Sequence, residues 1–205
     1  MIEPGTPGRR ERNKRQTRAR LLDAARSLFA TRGVAGTTVE DIADRADVSR
    51  ATFFNYFPSK DDLLAALHTT HMDALGRVID GLLERDLTTR ERVVGLFDDF
   101  VEATGRVPGY LQAVTGELER DLASPEISAE RTDRFDDEIL RLLTPGIERG
   151  EVRTDYPPTF LAQMVAAVYV STVRYWRQDA NYDLAHGFRM AATYVAESLA
   201  PTRPI

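Results

Sequence analysis

The sequence predicts an all-α fold of about nine helices, with three N-terminal helices followed by a larger helical domain. Two observations support this prediction. From residue 21 to residue 199, apolar residues recur mainly every three or four positions, which is the spacing of one helix face. Gly and Pro residues interrupt the pattern at the expected helix ends, and no segment alternates apolar and polar residues as a half-buried strand does.

The composition is that of an ordinary soluble globular protein, since 42% of the residues are hydrophobic and 29% are charged. The chain contains no cysteine, which excludes disulfides and thiolate metal sites. It has neither an apolar run of ~18 residues nor an apolar segment behind its basic N-terminus. We therefore expect a cytoplasmic protein without a membrane partner.

Charge is distributed unevenly along the chain. The formal net charge is −5, but residues 1–60 hold 12 Lys or Arg against 7 Asp or Glu, whereas residues 61–205 hold 15 against 25. A basic front with an acidic remainder indicates that only the front meets a polyanion. The acidic remainder would be repelled by DNA and should face away from it.

The first 17 residues are predicted to form a disordered basic arm, with two Pro and two Gly in residues 1–8 and basic residues from Arg9 onward. Such an arm is either a solvated tail or a means of neutralising phosphates at the edge of a DNA site. The first helix follows it and ends at Gly33. Its apolar face consists of Leu21, Leu22, Ala25, Leu28 and Phe29.

Two short helices joined by a tight turn come next. Thr38 can cap the second helix, with Asp41 in its first turn, and Ser49 can cap a third helix that runs to Phe57. Asp47 and Val48 leave room only for a tight turn between them. This is the layout of a helix-turn-helix, whose second helix enters the major groove of DNA.

The outer side of the third helix carries residue types that can recognise base edges, namely Arg50, Thr52, Phe54 and Asn55. Tyr56 and Lys60 follow where the wall of the groove should lie, and both suit phosphate oxygens. The alternative is a helical hairpin that does not bind DNA.

The segment GVAGTTVEDIADRADVSRATFFNYFPSKDDLL, residues 33–64, resembles the signature of TetR-type DNA-binding domains. The resemblance implies a DNA-binding domain over residues 18–64 and a helical ligand-binding and dimerisation domain over residues 65–205. It implies that bases are faced by Arg50, Ala51, Thr52, Phe54 and Asn55. We expect phosphates to be faced by Thr38, Ser49, Tyr56, Lys60 and Arg18.

Two residues depart from the family pattern. Asp47 stands where the family usually has Gly in the turn, but Asp tolerates the left-handed backbone conformation, so the turn should survive. Phe54 stands where Tyr is most frequent, so that one hydrogen bond to DNA is replaced by an apolar contact.

Six further helices are predicted, at residues 59–86, 90–104, 110–122, 126–149, 158–178 and 183–199. The fifth of these is apolar nearly all round, so it must be covered on both sides. Together with the last helix it is expected to form a four-helix bundle in a homodimer. The segment RGEVRTDYPPTFLAQMVAAVYVSTVRYWRQD also resembles the dimerisation region of the same family. The interface residues are predicted to be Val165, Val168, Thr172, Phe188, Ala191 and Val195. The alternative is that both helices belong to one monomeric core.

The resemblance implies a small-molecule pocket within the helical domain, for an apolar or aromatic effector. Candidate lining residues are Met72, Phe97, Phe100, Tyr110, Leu118, Met164, Tyr169 and Trp176. Each of them, taken separately, could instead be a core residue.

No feature of the sequence predicts catalysis, a cofactor or a metal site. His68 and His71 are spaced as two ligands on one helix could be, but no third ligand shares their face. There is no glycine-rich phosphate loop and no nucleophile elbow. The acidic clusters lie on amphipathic helices, where a solvated face is the simpler interpretation.

The sequence therefore predicts a transcription regulator rather than an enzyme. The first hypothesis is a homodimeric repressor on a near-palindromic DNA operator, released by a small-molecule effector and associated with the nucleoid when bound to DNA. The second is a DNA-binding activator that needs no ligand. The third is a helical small-molecule-binding protein whose DNA-binding head is vestigial.

Overall fold

The computed structural model describes residues 8–106, 108–121 and 125–201. Over these residues the fold is all-α, as predicted, with nine helices and no strand. In chain order the helices are α1 (Arg9–Arg32), α2 (Val39–Arg45), α3 (Arg50–Tyr56), α4 (Lys60–Leu83), α5 (Thr89–Arg106), α6 (Pro108–Asp121), α7 (Pro125–Glu148), α8 (Pro158–Gln178) and α9 (Leu184–Leu199).

The main difference from the sequence prediction is at the N-terminus. Helix α1 begins at Arg9, so residues 9–17 continue the helix and are not a disordered arm. Arg, Lys, Gln and Glu are good helix formers, and Glu11 adds an ion pair with Arg15 one turn later, at 3.7 Å. Residues 1–7, which the prediction also included in the arm, lie outside the described residues.

Two compact units make up the chain. The first ends at Thr69, within α4, and includes Gly109–Val114 from the start of α6; the second comprises Thr70–Pro108 and the chain from Thr115 onward. The predicted boundary after residue 64 thus lies earlier in α4 than the boundary between the units.

The first unit is built on helices too short or too polar to be stable alone. Its core is formed by apolar side chains from α1 to α4, among them Leu21, Ala25, Phe29, Ile42, Phe53, Phe57, Leu63 and Leu67. The first turn of α6 packs against α1, because Gly109 approaches the carbonyl of Ala30 and Tyr110 lies 5.8 Å from the guanidinium of Arg26.

The second unit has an aromatic centre. Phe100 stacks on Phe188 at 4.8 Å between ring centroids, and Tyr169 meets Phe97, Phe100 and Phe188 edge to face at 5.1–5.7 Å. Helix α5 packs on α9, and α8 packs on both α7 and α9. The aromatic rings therefore join α5, α8 and α9 at one place.

Helices α4 and α7 run parallel and are joined by ion pairs at regular intervals. Arg134 bonds Asp73 at 2.6 Å, and Arg141 bonds Asp80 at 2.5 Å, one heptad later on both helices. Arg149 then donates to the carbonyl of Leu87 at 2.8 Å. These groups are 40–54% exposed, so each pair stabilises the fold by about 1 kcal/mol at most.

A better shielded network closes the N-terminus of α5. One carboxylate oxygen of Glu151 accepts from the backbone N–H and the hydroxyl of Thr89, at 2.6 and 2.8 Å. Arg149 donates to the other oxygen at 2.7 Å. The hydrogen bond from Arg149, followed by those from Thr89, lowers the pKa of Glu151 from 4.5 to about 2.

This network gives a pH-dependent prediction. Glu151→Gln should lower the free energy of unfolding by about 1–2 kcal/mol at pH 7, since bonds to a charged acceptor are lost. A depressed folded-state pKa stabilises the protein above the unfolded pKa, and that contribution disappears as the pH falls towards about 2. Urea unfolding at pH 7, 5, 4 and 3 should show the difference from wild type shrinking below pH 4.5.

The matched control is Glu197→Gln, which removes an exposed carboxylate 4.0 Å from Arg90. This variant should be almost as stable as wild type at every pH. A Glu151→Gln deficit that stays constant from pH 7 to pH 3 would show that the carboxylate charge is not what stabilises this corner.

Candidate DNA-binding site

Helices α2 and α3 form a helix-turn-helix held by a buried apolar seam. Ile42, Ala43 and Ala46 are buried on one side of the turn, and Phe53 and Phe57 on the other. Because the two phenylalanines bury one side of α3, the opposite side is left to solvent.

The turn adopts the conformation that the sequence predicted. Asp47 has a φ of 53°, in the left-handed region, so it takes the role that Gly usually has there. The N–H of Val48 reaches back to the carbonyl of Ala43 at 3.0 Å. Arg20 of α1 donates to the carbonyl of Asp47 at 3.3 Å and ties the turn to the rest of the unit.

Both predicted N-caps are present. Thr38 and Asp41 form a reciprocal capping box on α2, with the N–H of Asp41 at 3.1 Å from the Thr38 hydroxyl and the N–H of Thr38 at 2.9 Å from the Asp41 carboxylate. The hydrogen bonds from Thr38 keep the pKa of Asp41 below its usual value. Ser49 accepts from the N–H of Thr52 at 3.0 Å and caps α3.

The residues predicted to face bases lie together on α3. Arg50, Ala51, Phe54 and Asn55 are exposed, and Thr52 is half-buried. The hydroxyl of Thr52 shares a hydrogen bond of 2.8 Å with that of Ser49. Thr52 is therefore partly committed to the cap, whereas the other four side chains are exposed on the helix.

Arg50 is held in place by two contacts that sequence reasoning missed. Its Nε lies 2.9 Å from a carboxylate oxygen of Glu40 on α2, and its guanidinium lies 5.5 Å from the ring centroid of Phe54. The ion pair is well exposed, so it adds little to stability. Its effect is on orientation, since Nε is engaged by Glu40 while the side chain as a whole stays 66% exposed.

Lys60 has a structural role in addition to the predicted phosphate contact. Its ammonium donates to the carbonyls of Val34 and Thr37, at 2.9 and 3.1 Å, and so holds the loop between α1 and α2. An ammonium has three donors, so one N–H remains for a phosphate. Thr37 and Val34 are buried, and their carbonyls would otherwise lack this partner.

The other predicted phosphate-facing residues differ in their exposure and in their contacts. Thr38 and Ser49 are exposed but engaged in caps, and Tyr56 is half-buried. Arg18 is exposed, with its guanidinium 5.2 Å from the ring centroid of Phe57.

A basic groove separates the beginning of α1 from α3. It has a volume of about 1020 Å³ and is open to solvent. Thr52, Asn55 and Tyr56 line one wall, and the first turns of α1 line the other with Arg9, Arg10, Asn13, Lys14 and Thr17. The helical extension that replaces the predicted disordered arm therefore places cations next to the predicted base-facing residues.

The predicted pocket residues only partly come together. Phe97, Phe100 and Tyr169 form the aromatic centre with Trp176, whose ring is 5.8 Å from Phe100. Phe135 and Phe188 also belong to it but were missed. Met72 is buried, Met164 is exposed on α8, Tyr110 lies in the first unit, and the side chain of Leu118 is outside the described residues.

The predicted dimer residues need correction. Val165, Thr172, Phe188 and Val195 are buried inside a single chain, so they have no surface to offer a partner; Val168 and Ala191 are half-buried. The exposed stripe of α8 and α9 lies beside them. It contains Phe160, Met164 and Tyr175 on α8 and Met190 and Tyr194 on α9, each 40–65% exposed.

Among the described residues, no group of three or more His, Cys, Asp or Glu side chains could hold a metal ion. Burial lowers the pKa of His71, which keeps its imidazole neutral. No helix within the described ranges is long and apolar enough to cross a membrane.

A buried helix-turn-helix seam, a polar outer face on α3 and a flanking basic groove define a sequence-reading DNA-binding protein. Residues 21–67 match the family model described as bacterial regulatory proteins, tetR family. Residues 21–67 therefore form a DNA-binding domain of the tetR type, and the relatives described next are transcription regulators.

Known relatives extend the similarity over the rest of the chain. The transcriptional regulator TcmR of Streptomyces glaucescens is 28% identical over 207 residues, covering 97% of this chain and 89% of that protein. The repressor KstR2 of Mycobacterium tuberculosis is 27% identical over 162 residues, covering 78% and 81%. The crystal structure of the repressor FadR of Thermus thermophilus with lauroyl-CoA has a TM-score of 0.70 and 26% identity, covering 92% and 97%.

Lys60→Met tests the structural role of the lysine. The variant keeps most of the aliphatic stem but loses both bonds to loop carbonyls, so the free energy of unfolding should fall by about 1–2 kcal/mol. The slope of log affinity for DNA against log salt should also fall by about one unit, equally for all sequences. Chemical denaturation and fluorescence anisotropy measure the two effects.

The control is Lys14→Met, which removes the chain's other lysine, exposed on α1. It should reduce the salt slope without loss of stability. If Lys60→Met is as stable as Lys14→Met, the bonds to Val34 and Thr37 do not hold the loop.

Proposed function

We propose that the chain is a homodimeric repressor that binds a near-palindromic operator and is released by a small-molecule effector. The observation that carries this proposal is the outer face of α3, where Arg50 and Asn55 project beside a groove lined with cations. In a helix-turn-helix dimer, each such helix enters one major groove.

Arg50 is suited to guanine. With Nε bonded to Glu40 and the guanidinium beside Phe54, the two Nη groups can donate together to O6 and N7 of one guanine. Glu40 thereby acts as a positioning residue for Arg50. Asn55, one turn later and exposed, suits adenine, and the ring of Phe54 and the methyl of Ala51 suit a thymine methyl.

The groove beside α3 is suited to a phosphate backbone. Arg9, Arg10 and Lys14 provide positive charge along its outer wall, and phosphate contacts fix the register of a protein on DNA without reading its sequence. Arg18, Tyr56 and the third N–H of Lys60 would continue this line of contacts.

The experiment that tests the proposal starts with selection of bound duplexes from a randomised DNA pool, followed by fluorescence anisotropy at two salt concentrations. Wild type should enrich a two-fold symmetric site, and its affinity should exceed that for an unrelated duplex at both salts. Arg50→Ala should relax the preference at one base pair per half-site, by about 1–3 kcal/mol. Glu40→Gln should relax the same position to a smaller extent.

The matched control is Arg45→Ala on α2, where the guanidinium bonds the hydroxyl of Ser27 at 2.9 Å. This variant should retain the wild-type base preference. A uniform loss of affinity in Arg50→Ala would place another residue of α3 at the base edge. Failure of wild type to enrich any sequence would contradict the regulator's proposed mode of binding.

The exposed stripe of α8 and α9 supports the dimer. Five exposed large apolar side chains on two helices that pack together are unusual on a soluble monomer. Two copies of the α8–α9 pair would form a four-helix bundle about a two-fold axis, as the sequence predicted, but through the neighbouring stripe of each helix.

Tyr194→Glu tests this interface. Tyr194 is the most exposed large apolar residue of the chain's described part, at 65%, and a carboxylate there would be buried unpaired in a dimer. Sedimentation equilibrium should show a dimer dissociation constant at least 100-fold higher than that of wild type. Circular dichroism should show unchanged helical content. Phe54→Glu, at a 40% exposed residue of the DNA-binding unit, serves as control; equal dimerisation in all three proteins would place the interface elsewhere.

Effector release would act through α4, which starts at Lys60 in the DNA-binding unit and continues to Leu83 in the second unit. An effector that releases the operator must bind the DNA-free form more tightly, and DNA must weaken effector binding by the same factor. The aromatic centre of Phe97, Phe100, Tyr169 and Trp176 favours an effector with apolar or aromatic parts.

Two other functions remain as outcomes of the same experiments. An activator would enrich a DNA site but raise transcription from a reporter carrying that site. A small-molecule-binding protein with a vestigial head would bind an effector and enrich no DNA site, which the basic groove and the exposed α3 face argue against.

A further inference from the structure

One buried charged side chain of the second unit has two nitrogens without a hydrogen-bond partner among the described residues. Arg92 of α5 is only 2% exposed, and its Nε and Nη1 have no hydrogen-bond partner among the described residues. Other arginines of this unit, such as Arg134, Arg141 and Arg149, are exposed and paired with carboxylates. A buried cation without a counter-charge destabilises a fold unless something compensates it.

The neighbours of Arg92 on α5 indicate where its side chain lies. Thr89, one turn earlier, lies against Gly146 of α7, and a Cβ on Gly95, one turn later, would lie 2.7 Å from Leu82 of α4. Residues 89, 92 and 95 follow each other in steps of 60° around the helix. Arg92 is thus directed into the interior between α4 and α7.

The interior at this level is aliphatic. Several aliphatic side chains of α4 and α7 are at most 7% exposed, namely Leu75, Ile79, Leu82, Ile139, Leu142 and Leu143. On the outside, the same two helices are joined by the long side chains of Arg134 and Arg141. A single positive charge within aliphatic walls matches a molecule with one anionic group and an apolar body.

We propose that Arg92 binds the anionic head of an amphiphilic effector, whose apolar part lies among the aliphatic side chains of α4 and α7. The inference rests on the proposed effector-released repressor and specifies the chemistry of its effector. A carboxylate or phosphate head can accept two parallel N–H bonds from one guanidinium, which compensates the buried charge. The same occupant would press on α4, the helix that leads to the DNA-binding unit.

The test uses thermal unfolding of the 205-residue chain with decanoate and decyl phosphate below their micelle concentrations, and with decanol below its solubility limit. Decanoate or decyl phosphate should raise the Tm of wild type and decanol should not, since ligand binding to the folded state stabilises it. Arg92→Met should abolish the anion-dependent shift, and its ligand-free Tm should be equal to or higher than that of wild type, because the unpaired charge is removed.

The matched control is Arg90→Met, which removes an exposed guanidinium from the same turn of α5 and should keep the anion-dependent shift. Comparison of decanoate with decyl phosphate identifies the preferred head group. The inference is overturned if wild type responds equally to decanol and the two anions, or if Arg92→Met responds as Arg90→Met does.

Anisotropy with the selected operator separates this inference from the proposed function. If decanoate raises the Tm through Arg92 but leaves the operator bound, the anion site is correct and effector-released repression is wrong. If a neutral molecule releases the operator while neither anion binds, repression stands and the assignment of Arg92 is wrong.

Discussion

Burial of Phe53 and Phe57 is the constraint on which the DNA-binding face depends. Helix α3 has seven residues, and isolated helices of fewer than ~12–15 residues are marginal in water. It persists because the two rings are buried and Ser49 caps its first turn. Since the rings fix one side of the helix against the core, Arg50 and Phe54 must lie on the other. The reading surface is therefore set by packing, before any contact with DNA.

The helices and their ends were predictable because their signals are local. The caps at Thr38 and Ser49 need only residues three positions apart, and the turn at Asp47 needs only a residue that tolerates positive φ. The basic N-terminal residues show the limit of this approach. Their charge suggested disorder, but the same residue types are good helix formers, and α1 extends to Arg9.

Four of the residues predicted for a dimer interface lie in the core of the chain for a different reason. Helix α8 is apolar nearly all round, so the spacing of its apolar residues does not indicate which face of the helix packs into the core of the chain. The choice is made by α5 and α7, whose rings surround Tyr169 and Phe188. Contacts such as Arg50 with Glu40, and Lys60 with Val34, were equally beyond sequence reasoning, because they join residues distant in the chain.

The arginines of the two units differ in whether carboxylates neutralise them. In the first unit, cations on α1 are left exposed along a groove, where a polyanion can neutralise them. In the second unit, Arg134 and Arg141 are neutralised by carboxylates of α4, which keeps that surface unattractive to DNA. Arg92 follows neither arrangement, since it is buried and its Nε and Nη1 lack partners within the described residues. An anionic ligand that compensated this charge would stabilise the folded state, and α4, which begins at Lys60 beside the helix-turn-helix, is the helix against which we propose that it binds.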